Sequence, residues 1–153
     1  MDKNNLIESA SKINHFSEAT QQEYVQKSEL LINKMNSLML ARADLKELIG
    51  ENNQEMMKDN HANHVRFISS ILKNFSPEVL VETILWVFRA YRSHRFTTSY
   101  WAVQLNSWIS IMKETLTPEA YNQVFPLYEW MQINIPLFVK LSDEKLESAL
   151  SMH

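Results

Sequence analysis

His61 and His64 stand three residues apart in a stretch of helical periodicity, so both imidazoles fall on the inward side of one helix. Two imidazoles so placed can serve as distal groups over a pocket or as two ligands of a zinc ion. Zinc needs a third or fourth protein ligand, and no compact motif supplies one, so no metal is expected. Tyr91 and His94 repeat the same spacing further along. Tyr91 reads as a core tyrosine whose hydroxyl finds a hydrogen-bond partner, as an axial ligand to iron, or as a contact for another ligand. His94 lies beside Arg92 and Arg95 at a helix end, where the macrodipole favours a cation, and capping is its simplest role. His15 and His153 read as surface or terminal residues. Glu55, Asp59 and His61 are close on one helix, but such groupings are common on solvated faces and specify no reaction. With no cysteine, no glycine-rich phosphate loop and no nucleophile elbow, no enzyme is expected.

The elements that must position these residues are helices. One glycine and four prolines are too few for a sheet protein, whose hairpins draw on glycine repeatedly. Ser76-Pro77-Glu78 and Thr117-Pro118-Glu119 each combine an N-cap hydroxyl, a first-turn proline and an acid at the positive end of the dipole. A weakly held helix is expected over the first fifteen residues and a long one from Ser17 to about Ala41. Asp44-x-x-Glu47 has capping-box form, with Gly50 as the stop of a short helix. Asn52 then caps a helix to about Phe75, on which Met57, His61, His64, Ile68, Ile71 and Phe75 recur at three- and four-residue steps. Pro77 to His94 is apolar almost all round and is expected at the centre. Thr97 to Ser99 cap the next helix, Tyr100 to Thr115, with Trp101, Leu105, Trp108, Ile109 and Met112 on its buried stripe. Pro118 to about Lys140 follows, kinked or broken at Pro126 and Pro136, and Ser142 caps a short last helix.

At 153 residues, with 45% hydrophobic and 22% charged residues, the chain reads as a single domain over 1–153 that buries its own core. A formal charge of −3 and the absence of any dense Lys/Arg run point away from nucleic acid and anionic membranes. The stretch from Met1 to Ser17 lacks a signal-peptide core and no apolar run spans a bilayer, so a cytoplasmic location is expected. Absent cysteine also excludes thioether attachment of a tetrapyrrole. Trp86, Trp101, Trp108 and Trp130 are explained by core packing. Met35, Met39, Met56, Met57, Met112 and Met131 suit either a plastic core or a ligand cavity.

The stretch Leu38-Met39-Leu40-Ala41-Arg42-Ala43-Asp44-Leu45-Lys46-Glu47-Leu48-Ile49-Gly50, followed by Asn74-Phe75-Ser76-Pro77 and by Tyr91-Arg92-Ser93-His94-Arg95-Phe96-Thr97-Thr98-Ser99-Tyr100-Trp101, carries a resemblance. It resembles the globin domain of bacterial globin-coupled sensors and their haem-free relatives in stress-signalling regulators. The resemblance implies an all-α, globin-like bundle of about six to eight helices. It places Tyr91 where the sensors carry a proximal histidine, and Leu48 and Ile49 where globins place a haem-packing phenylalanine. A phenol must lose a proton of pKa about 10 before it ligates iron well. The leading expectation is therefore a haem-free sensory or regulatory module without a cofactor, with a ligand pocket formed by Tyr91, His64, His61, Ile68, Phe88 and Trp101. It would act through a small apolar ligand or a signalling partner. The resemblance also implies a homodimer through the helices near 100–115 and 118–140. One alternative is a haem-binding gas or redox sensor using Tyr91, His94, His61 or His64. Another is a helical accessory or interaction domain for a separate effector. The 153 residues hold a globin-sized body without an output domain, so a signal would leave through another chain or through a part of the protein outside these residues.

Overall fold

The computed structural model describes residues 2–151, with side chains described as far as Glu144; His153 lies outside the described residues. The described chain is all-helical, with nine helices. They are α1 (Lys3–Ala10), α2 (Glu18–Gln26), α3 (Ser28–Leu40), α4 (Leu45–Ile49), α5 (Gln54–Lys73), α6 (Pro77–Arg92), α7 (Thr98–Thr115), α8 (Pro118–Ile133) and α9 (Ile135–Ser151). None is long and apolar enough to cross a membrane.

Helix starts follow the caps. The hydroxyls of Ser17, Ser76, Thr97 and Thr117 each accept the N–H three residues on, opening α2, α6, α7 and α8. Asp2 and Asn5 form a reciprocal box at the start of α1, which docks on α6 and buries Leu6 and Ala10. Two expected caps are made differently. Asp44 precedes α4, but its carboxylate pairs with Arg42 at 2.8 and 3.0 Å instead of capping. Asn53, not Asn52, precedes α5, and its Nδ2 donates to the carbonyls of Ile49 and His94, both at 2.7 Å.

The long helix expected from Ser17 to Ala41 is divided at Lys27, whose backbone leaves the helical region at φ −95, ψ 6. The Lys27 ammonium reaches the Thr115 carbonyl at 2.8 Å, and a cation at the carbonyl end of α7 compensates for the break. Pro126 does not interrupt α8. Pro126 and Asn122, whose carbonyl loses its helical partner, are both exposed, so water can meet that carbonyl. The break falls at Asn134, whose Nδ2 donates to the Trp130 carbonyl at 2.8 Å, and Pro136 sits harmlessly in the first turn of α9. Ser142 caps nothing: it is buried within α9, accepts from Arg92 at 3.2 Å and donates to the Val139 carbonyl at 3.0 Å.

α7 is the helix in the centre, packed against α3, α4, α8 and α9, with Tyr100, Trp108 and Met112 at 0% exposure. α6, expected there, packs on α1 and α9 and leaves Val79 and Trp86 in solvent. Burying each large apolar side chain of the α7 stripe stabilises the fold by about 1.5–3 kcal/mol. On α7 and α8, Ile133 is the one large exposed hydrophobic among the described residues, while Val103, Ile109 and Tyr121 are partly buried. α5 packs on α2 and α3, away from α6, and a cavity opens where α5 and α6 face each other across the end of α7.

Candidate functional site

The cavity has a volume of about 190 Å³. α5 contributes Asn60, Asn63, His64 and Phe67, and α6 contributes Thr83, Ile84, Trp86, Val87, Phe88 and Tyr91. Trp101, Gln104 and Leu105 come from α7, Met131 from α8 and Phe138 from α9. The steps from Asn60 to His64 to Phe67, from Ile84 to Phe88 to Tyr91, and from Trp101 to Leu105 are those of single helix faces. The wall is mostly apolar and contains no Asp, Glu, Lys or Arg. Trp86, 60% exposed, stands at the solvent side.

The turn between α6 and α7 sets the positions of Tyr91 and Trp101. Thr97 donates both its N–H, at 2.9 Å, and its hydroxyl, at 3.1 Å, to the Leu48 carbonyl. Asn53 ties the same turn to the α4–α5 corner through the His94 carbonyl. Gly50 makes the corner possible, with φ +84, and a Cβ there would stand 3.0 Å from Cβ of Arg95. So anchored, Phe88 stacks on Trp101 with centroids 4.6 Å apart, and Tyr91 meets Phe96 and Trp101 edge-on.

Besides Asn63, Thr83 and the Tyr91 hydroxyl, two hydrogen-bonded clusters interrupt the apolar wall. On one side Nε2 of His64 lies 2.6 Å from the Tyr128 hydroxyl, itself 3.3 Å from the Tyr24 hydroxyl. The imidazole stacks on Trp108 at 5.0 Å. Burial, and then the nearby His61, push His64 down to about 3, so its ring stays neutral. Burial raises the Tyr24 and Tyr128 phenols, which remain protonated. On the other side Asn60, Tyr100 and Gln104 form a buried triangle in which Asn60 Oδ1 accepts from the Tyr100 hydroxyl at 2.8 Å and from Gln104 Nε2 at 2.6 Å.

Of the six residues read from sequence as a pocket, Tyr91, His64, Phe88 and Trp101 line this cavity. His61 and Ile68 do not: both are sealed in the core at 0% exposure. Nδ1 of His61 pairs with Asn36 Oδ1 at 2.6 Å, its ring meets Trp108 edge-on, and burial pushes it down to about 3. His94 is exposed and outside the cavity. No cluster of three or more His, Asp or Glu side chains that could hold a metal ion occurs among the described residues. Sequence reasoning missed Asn60 and Gln104, whose signal was a polar residue at the i, i+4 step of an otherwise buried face: Asn60 before His64, and Gln104 after Tyr100.

Set against models of protein families, against curated proteins and against solved structures, the chain matches none.

Proposed function

We propose that the chain is a haem-free, globin-like regulatory module whose signal is a small, largely apolar molecule held between α5 and α6. The observation that carries this reading is the 190 Å³ cavity, walled by aromatic and aliphatic side chains from five helices. An apolar cavity of about 150 Å³ accommodates benzene, so one ring with a short substituent fits here. An occupant touching α5 through α9 at once favours one packing of those helices over another, which is what a regulatory module requires.

The cavity favours a one-ring occupant over haem: a macrocycle of four pyrroles is far larger than 190 Å³, Phe88 stacks on Trp101 in the wall, and His94 is exposed outside it. Tyr91 and His64, on α6 and α5, nevertheless face one cavity from two helices, and this opposition supports the globin-like reading. The companion mode, contact with a signalling protein, would draw on Val25, Leu30, Leu38 and Leu40, the exposed apolar side chains of α2 and α3. A homodimer through α7 and α8 is not needed for either mode.

Calorimetric titration with toluene tests the reading. Saturable binding at one site per chain, with a rise in Tm, is expected; no saturable binding, or a stoichiometric Soret band on adding haemin, would contradict it.

A further inference from the structure

The apolar wall of the cavity accounts for its taste for an oily ring, but the floor is more specific. Asn60 and Gln104 are 3% and 2% exposed, and both line the cavity. Asn60 Oδ1 takes the Tyr100 hydroxyl at 2.8 Å and Gln104 Nε2 at 2.6 Å, and Nε2 lies 3.4 Å from the Tyr100 oxygen. The Tyr100 phenol, raised by burial, stays a hydroxyl and keeps the triangle intact. That leaves Nδ2 of Asn60 and Oε1 of Gln104 without a hydrogen-bond partner among the described residues. Neither belongs to the fully sealed orphan atoms, which are His61 Nε2, Trp101 Nε1 and Trp108 Nε1, so both keep open surface. The open space these two residues share is the cavity. Turning both amides over exchanges the atoms but still leaves one N–H donor and one carbonyl acceptor, held adjacent by the direct bond between the amides.

A buried amide end without a partner is unfavourable until something meets it. A charged occupant would lose its hydration with no Asp, Glu, Lys or Arg in the wall to compensate. An occupant with one donor and one acceptor side by side, and no charge, satisfies both amides at once.

We propose that the ligand is a neutral, flat molecule bearing a carboxamide or lactam, whose carbonyl accepts from Asn60 and whose N–H donates to Gln104. Its apolar part lies among Phe67, Phe88, Trp101 and Leu105. This rests on the reading of the cavity as a ligand site and narrows it to a chemical class.

The test titrates the unaltered chain at pH 7 with four one-ring probes: toluene, benzamide, benzoate and benzylamine. Benzamide is expected to bind about tenfold tighter than toluene, the weight of one to two net hydrogen bonds, with both ions weaker than toluene. In Gln104→Met the ratio of benzamide to toluene affinity falls below about threefold. Toluene binding as tightly as benzamide to the unaltered chain would overturn the amide class and leave the cavity reading standing. Benzoate or benzylamine as the tightest probe would overturn neutrality. Failure of all four would overturn the cavity reading as well.

Discussion

His64 and His61 differ by three helical positions, about 60° around the axis, and that angle decides their fates. His64 turns to the cavity, while His61, seven residues before Ile68, shares that residue's sealed face and meets Asn36 of α3. The sequence put all three in one pocket because inward periodicity resolves a face but not which neighbour it meets. Both imidazoles sit near pKa 3 in the fold, below the ordinary 6.5, because burial disfavours the charged form. The unfolded chain therefore binds more protons. Stability is fully present above about pH 6.5 and falls as the pH drops below it, approaching about 2.7 kcal/mol per pH unit for two histidines. Denaturant unfolding at pH 7, 6 and 5 should show this slope, and His64→Gln, which keeps a partner for Tyr128, should halve it. Unchanged stability between pH 7 and 5 would count against sealed, neutral rings. Phe88 and Trp101 were legible as members of apolar helix stretches, and Tyr91 through the resemblance, which placed it at the proximal position. Asn60 and Gln104 were not, since a polar residue within a stripe shows its partner only once two helices meet.

Helix starts were the most legible elements, because a cap is local chemistry: Ser76-Pro77-Glu78 and Thr117-Pro118-Glu119 contain all that opens α6 and α8. Breaks set by distant partners were not, as Lys27 and Asn134 show. Glu23 of α2 illustrates such a long-range tie. Its carboxylate accepts the Thr117 N–H at 2.7 Å and hydroxyl at 2.8 Å and pairs with Lys27 at 3.2 Å, fastening α2 to the start of α8. Partial burial would raise its pKa, but the Thr117 bonds and Lys27 hold it below the ordinary value. The contribution is present above about pH 4.5 and is lost as pH falls through the lowered value. Glu23→Ala should destabilise the chain by about 1.5–3 kcal/mol in denaturant unfolding at pH 7. Gly50, at φ 84 and ψ 174, occupies a region open only to glycine. Gly50→Ala should destabilise by roughly 1–3 kcal/mol, with Arg95 displaced, and a neutral result would show that the α4–α5 corner is not tightly held.

Across the whole molecule, composition alone specified an all-helical chain, because one glycine and four prolines leave few other folds. The helix count and the helix at the centre depended on tertiary contacts. α6 looked central because of its apolar composition, yet part of that surface, Val79 and Trp86, remains in solvent. Trp86 both lines the cavity and is 60% exposed, so it stands where an occupant would enter. Trp86→Ala should change stability by less than about 0.5 kcal/mol, as exposed positions do, while speeding ligand dissociation measured by stopped-flow. Equal dissociation rates would place the entrance elsewhere. The most direct test of the cavity as the functional site is a methyl NMR spectrum of methionine-labelled protein titrated with benzamide. Met131 lines the cavity, whereas Met35 and Met39 are buried in α3 and do not. A saturable shift of the Met131 methyl, with Met35 and Met39 unmoved, is the result the account predicts; a spectrum in which Met131 does not move would contradict it.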